Sequence, residues 1–390
     1  MDTDIPVAYA QPLPVPVPAS VIASAGAGTP TFGAGILPPP TPPLTEDQIA
    51  QLKDQGFTAG LAHALGKNNA VFPIRYWIVD NSGSMAAQDG NRIVATKRKD
   101  DVKVIPCTRW KELQGTIEYH AQMAALLQAP TVFRLLNNPG AAAGPQQFAV
   151  ATRGSKFIDS DLSTALSTIM NASPGGVTPL VQHIREIQQE VAAMAPTLLQ
   201  KGQRVAIVLA TDGLPTDERG IGGEVQKRLF IDAMRTLEGH PVWVVIRLCT
   251  DDDAVVDFYN DLDNQLELSL EVLDDFIAEG QEVYSMNKWL TYGLPLHRMR
   301  EMGFHDRLFD LLEERKLTRD EVFDLCRIIF GSDKLEGAPD AAVDFKAFAK
   351  CIARLTELES KQWSPSKKKM LPWIRTEALK KEYGDNCSVM

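Results

Sequence analysis

Asp80, Ser82 and Ser84 stand at alternate positions immediately after the apolar run Tyr76-Trp77-Ile78-Val79. Alternate residues leaving a strand into a loop point to one side, so a carboxylate and a pair of hydroxyls converge just beyond its end. Such a group of oxygens suits a hard cation. Mg²⁺ takes oxygen ligands in near-octahedral geometry and keeps several waters, which fits a site with few protein ligands, and Mn²⁺ accepts the same donors. Two further stretches can complete the shell. Gly175-Gly176-Val177-Thr178-Pro179-Leu180 is a tight loop presenting a hydroxyl just before a helix, and Val205-Ala206-Ile207-Val208-Leu209-Ala210-Thr211-Asp212-Gly213 is an apolar run ending in an acid. Where the direct ligands are mostly neutral hydroxyls, the cation keeps much of its positive charge and an open coordination position. An exposed Asp or Glu of a protein partner can fill it. Neither a general base nor a histidine stands near Ser82 and Ser84 in sequence to activate them as nucleophiles, so binding is favoured and no enzyme is expected.

The apolar run before Asp80 must be a strand for this geometry to hold. Its length and its β-branched and aromatic content predict a buried parallel strand, with Asp80 at the C-terminal end, where open α/β sheets bind ligands. Taken in order, Asp80, Ser82, Ser84, Thr178 and Asp212 fill the pattern D-x-S-x-S, then a distant T, then a distant D. This resembles the metal-ion-dependent adhesion site of the von Willebrand factor type A (vWA) family, also called the integrin inserted domain. The resemblance implies that both serines, and the threonine in the ligand-bound state, touch the metal. It implies that the aspartates act mainly through waters. A helix-capping role for Asp80 and Ser84 would account for the first segment but not for the other stretches.

Around these motifs, residues 71–286 alternate strand and helix. Strands are expected near 131–136, 147–152, 205–212, 242–248 and 266–273, and helices near 108–127, 159–171, 179–200 and 222–238. The fold class is therefore α/β: a doubly wound, mostly parallel six-stranded sheet with helices on both faces, plus a C-terminal helical region. His120, on the apolar face of its helix, reads as a core histidine rather than a ligand. One departure from the family pattern stands beside the site: residues 89–106 read as a β-hairpin where the first helix normally follows the serines closely. Its basic residues Lys97, Arg98, Lys99 and Lys103 are expected on the surface, and the insertion is placed to shape which partner reaches the metal.

The flanking segments carry their own signals. Residues 1–44 are rich in Pro, Ala, Val and Gly and lack Lys and Arg. They form no secretory signal and read as a disordered, partly polyproline-II arm able to dock an SH3- or WW-type partner. Residues 45–70 read as a helical lead-in packed on the main domain. They faintly resemble the start of a ubiquitin-associated domain but are too short for it. Residues 287–360 are helical, and Val343-Asp344-Phe345 echoes the end of an EF-hand loop. There the glycine position falls on Ala341 and the bidentate glutamate on Ala347, so calcium is not expected. Residues 361–390 hold an excess of four positive charges and end Cys387-Ser388-Val389-Met390, a C-a-a-X pattern that farnesyltransferase accepts. A prenyl chain on Cys387 together with the basic tail would hold a membrane surface, and either part alone would do so only marginally. The lysine run also reads as a solvated turn.

The formal charge of −10, concentrated outside that tail, argues against a nucleic-acid partner. Between Thr250 and Val283 there are twelve Asp or Glu and no Lys or Arg, which reads as a solvated helix face. Within it, Asp251-Asp252-Asp253 is also placed to lie on the rim of the metal site. The five cysteines are scattered and odd in number, with no C-x-x-C pair, which predicts a reducing compartment and excludes a RING-type zinc module. The expected setting is cytoplasmic, peripheral on a membrane if the tail is lipidated.

Two competing functions remain open at this stage. Strand-D-x-S with Thr211-Asp212 superficially resembles a haloacid-dehalogenase-like phosphatase, but that chemistry needs an acid where Ser82 stands. The sequence is also similar to vWA proteins associated with ubiquitin ligases, although it carries neither a RING nor a C2 domain.

Overall fold

A computed structural model describes residues 37–95 and 102–384. The chain divides into two compact units. The first takes in Asn69–Ala95 and Lys103–Leu273, and the second takes in Pro43–Asn68 and residues from 274 onward.

The second unit begins with helices α1 (Glu46–Asp54) and α2 (Ala59–Val71), the latter running on into the first unit. Thr45 starts α1 with a capping box, its hydroxyl accepting from the Gln48 amide while the Gln48 side chain accepts from the Thr45 amide. The first unit is built on β1 (Ile74–Val79), the hairpin β2 (Gly90–Ala95) and β3 (Val102–Cys107), α3 (Arg109–Leu127), β4 (Thr131–Leu135), β5 (Gln147–Val150), α4 (Ile158–Asn171), α5 (Leu180–Lys201), β6 (Val205–Thr211), α6 (Glu224–Arg235), β7 (Val242–Leu248), the short helices α7 (Asp253–Asn260) and α8 (Leu262–Gln265), and β8 (Leu270–Leu273).

The main sheet has six strands in the order β5-β4-β1-β6-β7-β8, parallel except where β5 runs antiparallel to β4 at one edge. Side chains of β1 alternate between two cores, as strand periodicity requires. Ile74, Tyr76 and Ile78 join Ile184, Ile187 and Val191 of α5 and Phe230 of α6. Trp77 and Val79 join Trp110, Leu113 and Ile117 of α3 and Ile169 of α4. Helices therefore cover both faces, and the expected doubly wound α/β fold is the fold observed. The chain winds from β1 toward β4 and β5, then returns to lay β6 on the other side of β1. That reversal makes the crevice beyond the C-terminal ends of β1 and β6 the topological switch point, where doubly wound sheets bind ligands.

The inserted hairpin forms as predicted; Lys103 is exposed, and Lys97, Arg98 and Lys99 lie outside the described residues. His120 is buried against Trp77, with ring centroids 4.6 Å apart, in the core as expected. The last strand is shorter than the 266–273 expected, forming only over Leu270–Leu273. Of the N-terminal arm, residues 1–36 lie outside the described residues. Leu37 packs on the core of the first unit and Pro38 is buried, so the end of the arm is not free coil.

The second unit continues with α9 (Phe276–Met286), α10 (Leu294–Glu301), α11 (Arg307–Glu314), α12 (Arg319–Phe330), α13 (Phe345–Glu357), the hairpin β9 (Gln362–Ser364) and β10 (Lys369–Leu371), and α14 (Thr376–Tyr383). Residues 43–68, the expected lead-in, group with the second unit, where the Thr58 hydroxyl donates to the Ile329 carbonyl and Gly60 lies against the backbone of Gly331. The basic tail is folded through Gly384, because Trp373 and Ile374 are buried and Ile374 bridges Leu290. Its lysine run does form a turn, the one joining β9 to β10. The acidic stretch is not all solvated either, since Glu279 is buried in an ion pair with Arg300.

The loop between α12 and α13 uses its acids locally. Asp340 accepts from the Ala342 amide and Asp344 caps α13. Residues 385–390, with Cys387, lie outside the described residues. Cys107, Cys249, Cys326 and Cys351 are free thiols. Among the described residues no helix is long and apolar enough to cross a membrane.

Candidate metal centre

Asp80 leaves β1 fully buried, at 0% exposure. Its amide donates to the Ala210 carbonyl of β6 at 2.9 Å, so β1 and β6 are still zipped where the carboxylate begins. Asp80 Oδ1 accepts from the Ser82 amide at 2.8 Å, and Oδ2 accepts from the Thr211 hydroxyl at 2.7 Å. Its inward oxygens thus brace the turn on one side and β6 on the other. Ser82 Oγ lies 2.9 Å from Ser84 Oγ, and Ser84 Oγ donates to Asp212 Oδ1 at 2.8 Å. Hydrogen bonds through Ser82 and Ser84 thus link the end of β1 to the end of β6.

Thr178 joins from a third segment. A Cβ placed on Gly213 would lie 4.0 Å from both Ser84 Oγ and Thr178 Oγ1, so both hydroxyls border Gly213. The loop carrying Thr178 is held by Asn137. Its Nδ2 donates to the Val177 carbonyl at 2.7 Å, and its Oδ1 accepts from the Val177 amide at 3.2 Å. Asn137 is itself paired with Asn81, its amide donating to Asn81 Oδ1 at 2.8 Å. Gly176 makes this approach possible: at φ +90° it occupies the left-handed region, and a Cβ there would collide with the Asn137 side chain. On the other flank, the Thr216 amide donates to the Thr178 carbonyl and the Tyr259 hydroxyl to the Gly213 carbonyl.

Of the residues singled out from the sequence, Asp80, Ser82, Ser84 and Asp212 are linked by these hydrogen bonds at the switch point, and Thr178 borders Gly213, the residue after Asp212. Their donor set is entirely oxygen, which fits Mg²⁺ or Mn²⁺. Among the described residues no group of three or more His, Cys, Asp or Glu is placed to hold a metal, so a cation here would depend on the hydroxyls.

The electrostatics are strained. Burial, and then the nearby Asp212 carboxylate, push the Asp80 carboxyl up to about 6; the hydrogen bonds from Thr211 and Ser82 pull the other way. Cys249, buried after β7, is pushed up to about 12 by desolvation and is no nucleophile.

Several participants carry no clear mark in the sequence. Thr211 reads there only as the end of a strand and Asn137 only as the opening of a loop. Arg109 and Asp89 do not stand out at all, yet Arg109 Nη1 donates to Asp212 Oδ2 at 3.0 Å while Nε donates to Asp89 Oδ1 at 2.7 Å. A signal was present: Arg109 opens a helix, where the macrodipole disfavours a cation unless acids receive it. Asp251 and Asp252 follow β7 at the same sheet edge as Asp212, and Asp252 caps α7 by accepting from the Ala254 and Val255 amides.

No family model matches the chain, and no curated protein matches it. Among solved structures, it is similar to a point mutant of the PilB minor pilin from Streptococcus sanguinis, with a TM-score of 0.35 and 13% identity over 61% of this chain and 62% of that one. It is also similar to the human COPII-coat protein Sec24c, with a TM-score of 0.28 and 11% identity over 54% of this chain and 31% of that one. The chain spans less than two thirds of the length of either.

Proposed function

We propose that this chain is a Mg²⁺-dependent protein-binding adaptor of the vWA type, which captures a carboxylate of a partner protein at the centre formed by Asp80, Ser82, Ser84, Thr178 and Asp212. The observation that carries the reading is the convergence of oxygens from three distant segments at the switch point of the sheet. A bound cation would supply a Lewis-acidic position for the partner's Asp or Glu. The protein's own part is to hold the serine and threonine hydroxyls facing that position and to keep Asp80 and Asp212 braced behind them.

Ser84 and the Gly175–Gly176 turn are exposed, so a partner can reach the rim. Asp251 and Asp252 add negative charge at the same edge, which favours a partner whose carboxylate is flanked by basic residues. A phosphatase reading gains nothing from the geometry, because the second residue after Asp80 is the hydroxyl of Ser82, which cannot protonate a leaving group at neutral pH. A cytoplasmic setting and tethering through a prenylated Cys387 complete the proposal. They rest on the C-a-a-X pattern, the basic tail and the odd number of scattered cysteines.

The test is direct. Wild type and Asp80→Ala, each with Mg²⁺ and with EDTA, are used to capture proteins from a eukaryotic lysate, with calorimetric Mg²⁺ and Mn²⁺ titrations in parallel. Cation binding, and captured proteins lost on both mutation and chelation, are expected. Identical catches in all samples with no heat of cation binding would sink the reading.

A further inference from the structure

Arg109 occupies a place that the motif does not assign. It is the first residue of α3, and its guanidinium is shared between two carboxylates of different exposure. Nε and Nη2 fork onto Asp89, whose side chain is 55% exposed, while Nη1 reaches Asp212, whose side chain is 0% exposed. The inserted hairpin fixes this arrangement. The Arg109 amide donates to the Ala87 carbonyl at 3.0 Å, and Gly90 lies so close to Thr108 that a Cβ there would meet its carbonyl oxygen at 2.7 Å. Both ends of the insertion are thereby stapled, and Arg109 is held within reach of the candidate metal centre.

We propose that Arg109 is an internal counter-cation of that centre: it neutralises Asp212 and sets the affinity for a divalent cation by competing with it for the Asp212 carboxylate. The inference rests on the metal-binding reading above. Asp212 is buried near a second buried carboxylate, Asp80, and among the described residues Arg109 is the cation that contacts it. Without that cation, two neighbouring buried carboxylates would be left with only the Ser82 amide and the Thr211 and Ser84 hydroxyls as neutral donors, which is costly. A divalent ion drawing on Asp212 brings a stronger charge to the same oxygens and repels the guanidinium. Release is cheap, because Arg109 gives up a single hydrogen bond to Asp212 and keeps its forked pair with Asp89. Asp89 is therefore the parking place that makes the exchange possible.

A merely structural arginine would orient Asp212, and removing it would weaken cation binding. A competing arginine gives the opposite sign. The experiment titrates the full chain with MnCl₂ and with MgCl₂ by calorimetry for wild type, Arg109→Gln, Asp89→Asn and Asp80→Ala, and records thermal melts of each in EDTA. Arg109→Gln is expected to bind at least about tenfold tighter, the order of effect that one unit charge has on a nearby divalent ion even where water screens it. It is also expected to melt below wild type in EDTA. Asp89→Asn, an exposed change that leaves the core untouched, is expected to bind severalfold weaker because Arg109 loses its alternative partner. Equal or weaker binding by Arg109→Gln overturns the proposal. Should that variant not fold, equal or tighter binding by Asp89→Asn overturns it. If wild type, Arg109→Gln and Asp80→Ala all give no heat, the metal-binding reading itself falls and takes this inference with it. Binding by Arg109→Gln alone would support the competition in its strongest form.

Discussion

Asp80→Asn separates the stability of this protein from its proposed function. Asp80 is fully buried, and its carboxyl is pushed from an ordinary 3.8 to about 6 by desolvation and by Asp212. Folding therefore takes up a proton at this site. Wild type has its full stability below the unfolded value near 3.8 and loses part of it as pH climbs through about 6, above which the loss is complete. The shift corresponds to about 3 kcal/mol at pH 8. An amide of the same shape keeps the bond from the Ser82 amide and can donate to Thr211 Oγ1, whose proton then turns toward the Gly213 carbonyl, 3.4 Å away. That bond is longer than the one lost, which offsets about 1 kcal/mol of the gain. The net expectation is a stabilisation of about 1–2 kcal/mol at pH 8, or several degrees in melting temperature for a unit of this size. The gap should close below pH 4. Thermal melts in EDTA across pH 3.5–8 measure it, and Mn²⁺ should raise the melting temperature of wild type but not of the variant. A variant that melts lower than wild type in EDTA at pH 8 would refute the reasoning, since Asp80 would then be stabilising in its charged form.

Gly176→Ala forces a left-handed residue to carry a Cβ into Asn137, so it should displace the Thr178 loop and lower Mn²⁺ affinity at least tenfold; an unchanged titration would show that Thr178 plays no part. Arg300→Met in the second unit removes the partner of Glu279, which burial already holds well above the usual carboxylate range. Urea unfolding should show a loss of about 3–5 kcal/mol at neutral pH, smaller at acid pH where Glu279 is protonated. Asp251→Asn with Asp252→Asn preserves the α7 cap, since Asn also caps, and should weaken binding to a partner with basic flanks and flatten its salt dependence. Cys387→Ser should abolish farnesylation and membrane-fraction partitioning in a eukaryotic cell; unchanged partitioning would assign any membrane contact to another part of the chain.

The parts of the fold legible in sequence were those whose signals are local. Unbroken runs such as Val205–Thr211 and Val242–Leu248 could only be buried parallel strands, and both are. The D-x-S-x-S spacing, Thr178 and Asp212 were readable because each stands at the end of its own strand or loop. What escaped depended on distant partners. Glu279 lies in an acid-rich stretch that looks solvated, and only the fold brings Arg300 against it. The lead-in helices looked like an extension of the nearest domain, yet Thr58 and Gly60 find their partners at Ile329 and Gly331, far along the chain. Trp373 and Ile374 were hidden in a tail read for its charge, although two large apolar residues side by side were a sign that it is folded.

The residues around the candidate metal centre have a common physical character. Each is unfavourable when considered alone: a cation at a helix N-terminus, a left-handed turn pressed on Asn137, a pair of carboxylates shut away from water. Local propensity argues against every one of them, and such conflicts are expected where a structure gives up stability for a binding site. Their signs are also mutually compensating, since Arg109 supplies the charge that Asp212 needs and Asp212 the acceptor that a helix-terminal arginine needs. On the proposed reading, a divalent cation and Arg109 are alternative answers to the same buried negative charge. The protein would then lose little stability when the cation leaves, and a partner's carboxylate would meet a centre whose affinity is set by one exchangeable hydrogen bond.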